Sequence, residues 1–169
     1  MKKIYSFVAA LVVAMVVLAS CGASSAYQAQ LDAAKSALEA KDAATAFAKV
    51  KEIIAGDKVT ANDAVISTMY ALQAYTLCAQ QAGGVESIPA EQNLDLCKQV
   101  VAAYTKAKSF PEAEVNQANG TIQAIAGMDV MGTAAGYVQS VASLEQAIQA
   151  AQQTAAEAEE AAEETEEGE

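Results

Sequence analysis

The chain has 169 residues and a formal net charge of −11, and its ten basic residues are all lysines. Without arginine or a basic cluster it lacks the usual contacts to phosphate groups, so no nucleic-acid partner is expected. It also has no histidine, which removes the usual general base and the commonest zinc ligand, so we predict no catalytic residue, metal site or cofactor.

The first predicted element is an export signal. Lys2 and Lys3 precede an apolar run from Ile4 to Leu18, which is short for a membrane-spanning helix, since spanning needs about 20 apolar residues. The run ends in the sequence Leu18-Ala19-Ser20-Cys21.

This ending resembles the lipobox of bacterial lipoproteins, which reads Leu, a small residue, a small residue, then Cys. The resemblance covers about the first 22 residues. It implies that signal peptidase II removes residues 1–20 and that Cys21 carries a diacylglycerol, with its new amine also acylated by chains such as palmitate. In this family Asp after the cysteine retains a lipoprotein in the inner membrane, so Gly22 implies the outer membrane, facing the periplasm, in a two-membrane bacterium. The alternative is ordinary secretion with cleavage after Ala26.

Residues 21–26 are predicted to be a lipidated tether and residues 27–153 a helical domain. The domain begins with two apolar stripes of helical spacing that are out of phase. The five residues from Leu38 to Ala43 rotate a helix by about 140°, so one straight helix cannot bury both stripes. We therefore predict two antiparallel helices joined by a tight turn near Lys41-Asp42, with the second ending at Gly56.

A third helix is predicted from the capping pair Thr60 and Asp63 through Ala82. Its apolar residues lie around much of its circumference, which indicates a central position in the bundle. Gly83-Gly84 ends this helix, and Pro89 begins a fourth. The residues predicted to face inward from the fourth helix are Leu94, Cys97, Val101 and Tyr104.

A second capping box, formed by Ser109, Pro111 and Glu112, predicts the start of a fifth helix. Glycines between residues 127 and 136 predict a kink or break, because each costs a helix about 1 kcal/mol relative to alanine. A last helix follows, with an apolar stripe formed by Val138, Val141, Leu144 and Ile148.

The last predicted element is an acidic Glu/Ala-rich tail at residues 154–169, and eight of the 21 acidic residues of the chain are glutamates in this tail. Like charges at this density repel, so a solvated extension is expected. The fold prediction is an all-α protein, an irregular bundle of about five or six helices built from antiparallel hairpins, with an acidic C-terminal extension.

The hairpins also weakly resemble tetratricopeptide repeats, because the first two begin near Tyr27 and Ala61, 34 residues apart. This resemblance implies a peptide-binding or scaffolding surface. Ala34, Ala46 and Val50 fit its small or apolar positions, whereas its aromatic, Leu-Gly and closing-proline positions fall on Gln30, Ala33 and Lys58.

Gly132 and Gly136 form a GxxxG pattern within an apolar stretch, which in a membrane would favour helix association. Asp129 lies near the centre of that stretch and costs roughly 2.5 to 3.5 kcal/mol on membrane-insertion scales. Close packing of soluble helices is therefore the preferred interpretation over a membrane hairpin.

Cys78 and Cys97 form a candidate disulfide, because they lie equally far from the centre of the predicted loop between the third and fourth helices. In an exported protein such a bridge can persist and would contribute roughly 3 kcal/mol. The alternative is that both are buried free thiols on faces that do not meet.

The function predicted from these features is a non-enzymatic binding or scaffolding module. It is held to the membrane by its N-terminal lipid, and its partner is an unknown envelope protein or a cell-wall component. One alternative is an enzyme with a site built from Asp95, Asp129 or Tyr104 in a cleft between the third, fourth and fifth helices. Another is a cation buffer formed by the acidic tail.

Overall fold

A computed structural model describes residues 25–166, with side chains described through Ala156. Within that part of the chain every regular element is helical, which confirms the all-α prediction. Residues 25–166 form six α-helices and one short 3-10 helix, Val85–Ser87. The α-helices are α1 (Gln28–Glu39), α2 (Ala43–Ile54), α3 (Ala61–Ala82), α4 (Ala90–Lys108), α5 (Glu112–Ala126) and α6 (Val130–Glu166).

The turn between α1 and α2 lies at the predicted position. Lys41 adopts a left-handed backbone conformation with a φ of 59°, which reverses the chain between the two helices. Asp42 then caps α2, because its carboxylate accepts a hydrogen bond of 3.0 Å from the backbone N–H of Thr45. Hydrogen bonding to Thr45 also lowers the pKa of Asp42.

Helix α3 is the centre of the bundle and contacts all five other α-helices. Its first turn has the predicted capping box, in which the Thr60 hydroxyl accepts from the backbone N–H of Asp63 and the Asp63 carboxylate accepts from the backbone N–H of Thr60. Fifteen of its 22 residues are buried, which is more than one face of a helix contains. Helix α3 is therefore buried around most of its circumference. Gly83, with a φ of 88°, ends the helix as predicted.

The prediction of which residues of α4 face inward was wrong except at Cys97. Of the four predicted residues only Cys97 is buried, whereas Leu94, Val101 and Tyr104 are half-buried. The physical reason is that alanines and Asn93 share the buried line with Leu96 and Val100, and a pattern of large apolar residues does not detect those smaller and polar members. The buried line consists of Asn93, Leu96, Cys97, Val100, Ala103 and Ala107.

The second predicted capping box was also wrong. Pro111 occupies the N-cap of α5, and the Ser109 hydroxyl donates instead to the backbone carbonyl of Lys106, at the end of α4. The predicted break occurs at Gly127, whose φ of 69° ends α5. Helix α6 then runs without interruption through Gly132 and Gly136.

Helix α6 packs mainly along α4. Val141, Leu144 and Ile148 of its predicted stripe are half-buried, while Val138 is exposed. The helix continues past Thr154, where the predicted acidic tail begins, to Glu166, through residues that are strong helix formers. From Gln149 to Ala156 every side chain is exposed, so this part of α6 extends beyond its contacts with the bundle.

Two neighbouring buried hydroxyls of α3 give a first testable prediction. Within the described residues the Ser67 hydroxyl has no hydrogen-bond partner, whereas that of Thr68 donates to the Ala64 carbonyl at 2.8 Å. A buried polar group without a partner costs about 1 to 3 kcal/mol, so Ser67→Ala is expected to keep or raise the free energy of unfolding. Thr68→Val, the matched control, should lower it by about 1 kcal/mol. Urea denaturation measures both values, and a loss above about 1 kcal/mol for Ser67→Ala would contradict the assignment.

Candidate functional site

A groove of about 480 Å³ lies between α2 and α4, two helices that both pack on α3. Each wall is a stripe of residues at spacing i, i+3, i+4 and i+7, which places them on one face of their helix. The two stripes therefore run side by side over about two helical turns. The wall from α2 consists of Phe47, Val50, Lys51 and Ile54, and the wall from α4 consists of Asp95, Lys98, Gln99 and Ala102.

The groove has an apolar floor and a charged rim. Phe47 and Val50 are only 4% and 2% exposed, so they form the floor. Ile54 is half-buried on the α2 wall, while Lys51 and Lys98 are exposed on opposite walls. An apolar surface with a few polar groups at its edge is typical of sites that bind amphipathic segments.

Lys98 links the groove to α6. Its ammonium lies 2.9 Å from a carboxylate oxygen of Glu145, and the two side chains are 49% and 45% exposed. An ion pair this open to water contributes between zero and about 1 kcal/mol. Another anion can therefore replace Glu145 beside Lys98 at little cost in stability.

The residues predicted for an enzyme site do not meet in this groove. Asp95 lines it, but Tyr104 and Asp129 do not. The groove also lies between the second and fourth helices, not in the predicted cleft between the third, fourth and fifth. Its polar groups are two ammonium groups, one carboxylate and one amide, an arrangement that suits binding better than paired acid and base chemistry.

Asp129 has a structural role at the start of α6. Its carboxylate accepts hydrogen bonds of 2.9 Å from the backbone N–H of Gly132 and from the side-chain amide of Asn119 on α5. These hydrogen bonds, chiefly the one from Gly132, lower the pKa of Asp129. A Cβ atom at Gly132 would overlap the Asp129 carboxylate, which explains the first glycine of the GxxxG pattern. Apart from its chain neighbours and the backbone of its own helix, no described atom lies within 4 Å of a Cβ built at Gly136, so the second glycine has no such explanation.

A buried polar cluster joins α3, α4 and α6. The Tyr75 hydroxyl donates to the Asn93 side-chain oxygen at 2.9 Å, and the Cys97 thiol lies 3.6 Å from the same oxygen. The ring of Tyr137 packs edge-on against Tyr75, with ring centroids 4.9 Å apart. Burial raises the pKa of Tyr75 and raises that of Tyr137 to about 12, so both phenols stay protonated.

The sequence analysis did not identify Asn93, because one asparagine in a helix has no periodic signal. Its position four residues before Cys97 places it on the same face of α4, and Cys97 was predicted to face inward. A buried asparagine on that face needs a partner, which would have directed attention to the tyrosines of α3.

Cys78 and Cys97 are both free thiols in this structure. Cys97 is 1% exposed and Cys78 is half-buried, and burial raises the pKa of both. A raised pKa disfavours the thiolate that attacks during disulfide formation. The bridge between Cys78 and Cys97 stays a prediction.

Residues 1–24, including the predicted lipidation site Cys21, lie outside the described residues. None of the helices between residues 25 and 166 combines the length and the hydropathy that a membrane-spanning segment needs. The same residues contain no cluster of three or more cysteine, aspartate or glutamate side chains that could hold a metal ion.

No protein-family model, no curated protein and no solved structure matches this chain.

Proposed function

We propose that this protein is a lipid-anchored, non-enzymatic binding module of the bacterial cell envelope, and that the groove between α2 and α4 is its binding site. The observation that carries this proposal is the combination of an apolar floor and a charged rim on two helices fixed to the same central helix. A preformed surface of this kind loses little conformational entropy when it binds, because its side chains and backbone are already ordered.

The short length of chain between Cys21 and the start of the fold suits the proposed anchoring. Ser25 accepts hydrogen bonds from the backbone N–H groups of Tyr27 and Gln28, and the Tyr27 ring lies against Gly56 at the end of α2. Only three residues separate Cys21 from Ser25, so the Cα atom of the predicted lipidated cysteine can be no more than about 14 Å from that of Ser25. With Gly22 after the lipidated cysteine, we place the module at the outer membrane, facing the periplasm.

The partner that fits the groove best is an amphipathic helical segment of another envelope protein. Such a segment places apolar side chains at i, i+3 and i+7, which matches the length of the two stripes. The weak tetratricopeptide resemblance implies the same kind of surface. A cell-wall glycan fits less well, because the Phe47 ring is buried and presents no open face to a sugar.

Photocrosslinking in intact cells tests this function. A photoreactive residue at Ala102, which is exposed on the groove wall, is expected to capture one defined envelope protein. The same residue at Ala142, exposed on α6 and outside the groove lining, is the matched control and should not capture it. Ile54→Asp should abolish the product at Ala102, because it places a charge on the apolar wall. Identical products from both positions, or a product that survives Ile54→Asp, would reject the groove as the binding site.

A further inference from the structure

We propose that the groove selects a segment with a carboxylate beside its apolar face, and that Lys98 exchanges Glu145 for this carboxylate when the segment binds. Glu145 is then an internal competitor that sets the affinity of the groove. This inference rests on the proposed function and names the chemistry of its ligand and the residue that regulates it.

The charges of the groove support an anionic ligand group. Lys51 and Lys98 face the groove from opposite walls, while Asp95 lies about one turn before Lys98 on α4. Lys98 is paired with Glu145 across to α6, so its ammonium is already held by a carboxylate near the groove rim. One bound segment could therefore place its apolar side chains on the floor of the groove and its carboxylate beside the lysines of the rim.

The exchange has a limited effect on the fold. Glu145 belongs to α6, whose contact with the rest of the bundle also includes the Tyr137 ring packed on Tyr75. Loss of one exposed ion pair leaves that buried contact in place. Ligand binding therefore frees the Glu145 side chain while α6 stays on α4.

Two synthetic helical peptides of about 16 residues test the exchange. Both have leucines at i, i+3 and i+7, and they differ only in one glutamate or glutamine beside this stripe. Their affinities for the mature chain with Cys21→Ser are measured by fluorescence anisotropy. We expect the glutamate peptide to bind more tightly, and Lys98→Gln to remove the difference. Glu145→Gln should raise the affinity of the glutamate peptide about two- to fivefold, the range expected for release of an exposed ion pair. The affinity of the glutamine peptide should not change.

Glu39→Gln is the matched control, because Glu39 forms an exposed ion pair with Lys35 outside the groove lining. It should change neither affinity. The exchange is overturned if Glu145→Gln has no effect, if it tightens both peptides equally, or if neither peptide binds. When both peptides bind equally and Ala102→Trp blocks both, the groove function stands and only the exchange fails. When both bind and Ala102→Trp blocks neither, the groove itself is rejected.

Discussion

Cys21→Ala is expected to move the protein from the membrane fraction to the soluble periplasmic fraction of a two-membrane bacterium. The resemblance to lipoproteins implies that two or three acyl chains at Cys21 supply the anchor, and each buried methylene contributes roughly 0.8 kcal/mol. Among residues 25–166 no helix is able to span a membrane in place of this anchor. Cell fractionation followed by immunoblotting measures the change, and the mass of the parent's N-terminal peptide identifies the acyl chains.

Gly22→Asp is the matched variant for this experiment. It keeps the lipidated cysteine, so it should remain in the membrane fraction, but the resemblance implies that it shifts from the outer to the inner membrane. Ser24→Ala changes neither feature and should behave as the parent does. A Cys21→Ala protein that stays with the membranes as fully as the parent would show that lipidation is not the anchor.

The elements that the sequence predicted well are those with local signals. The turn at Lys41-Asp42 was predicted from a change of helical phase, and the start of α3 from the spacing of Thr60 and Asp63. Gly83 and Gly127 end their helices in left-handed conformations that glycine adopts without strain. Each of these features is determined by residues that lie within one or two turns of one another along the chain.

The features that the sequence did not predict depend on contacts between distant segments. The groove requires α2 and α4 to lie side by side on α3, and its ion pair joins Lys98 to a residue on α6. The buried line of α4 includes alanines and Asn93, which pack there because α3 approaches closely. Alanine occurs on both faces of these helices, so its position along the chain does not distinguish core from surface.

Ile53→Ala is expected to lower the free energy of unfolding by about 2 to 5 kcal/mol, while Ile54→Ala is expected to cost much less. Ile53 is fully buried in the core, so its truncation leaves a cavity that the close-packed interior fills only in part. Ile54 is half-buried on the groove wall, where water or a ligand can occupy the vacated space. Urea denaturation of the mature chain with Cys21→Ser measures the two values under the same conditions.

The two variants also separate stability from binding. Because Ile54 contributes apolar surface to the groove, Ile54→Ala should lower the affinity of both synthetic peptides. The decrease approaches tenfold if about 1.4 kcal/mol of binding free energy is lost. Val141→Ala, a truncation of a half-buried residue on α6 outside the groove lining, should leave both peptide affinities unchanged. If Ile54→Ala destabilises the fold as much as Ile53→Ala does, the α2 wall is closed core packing, and a segment cannot enter the groove along that wall.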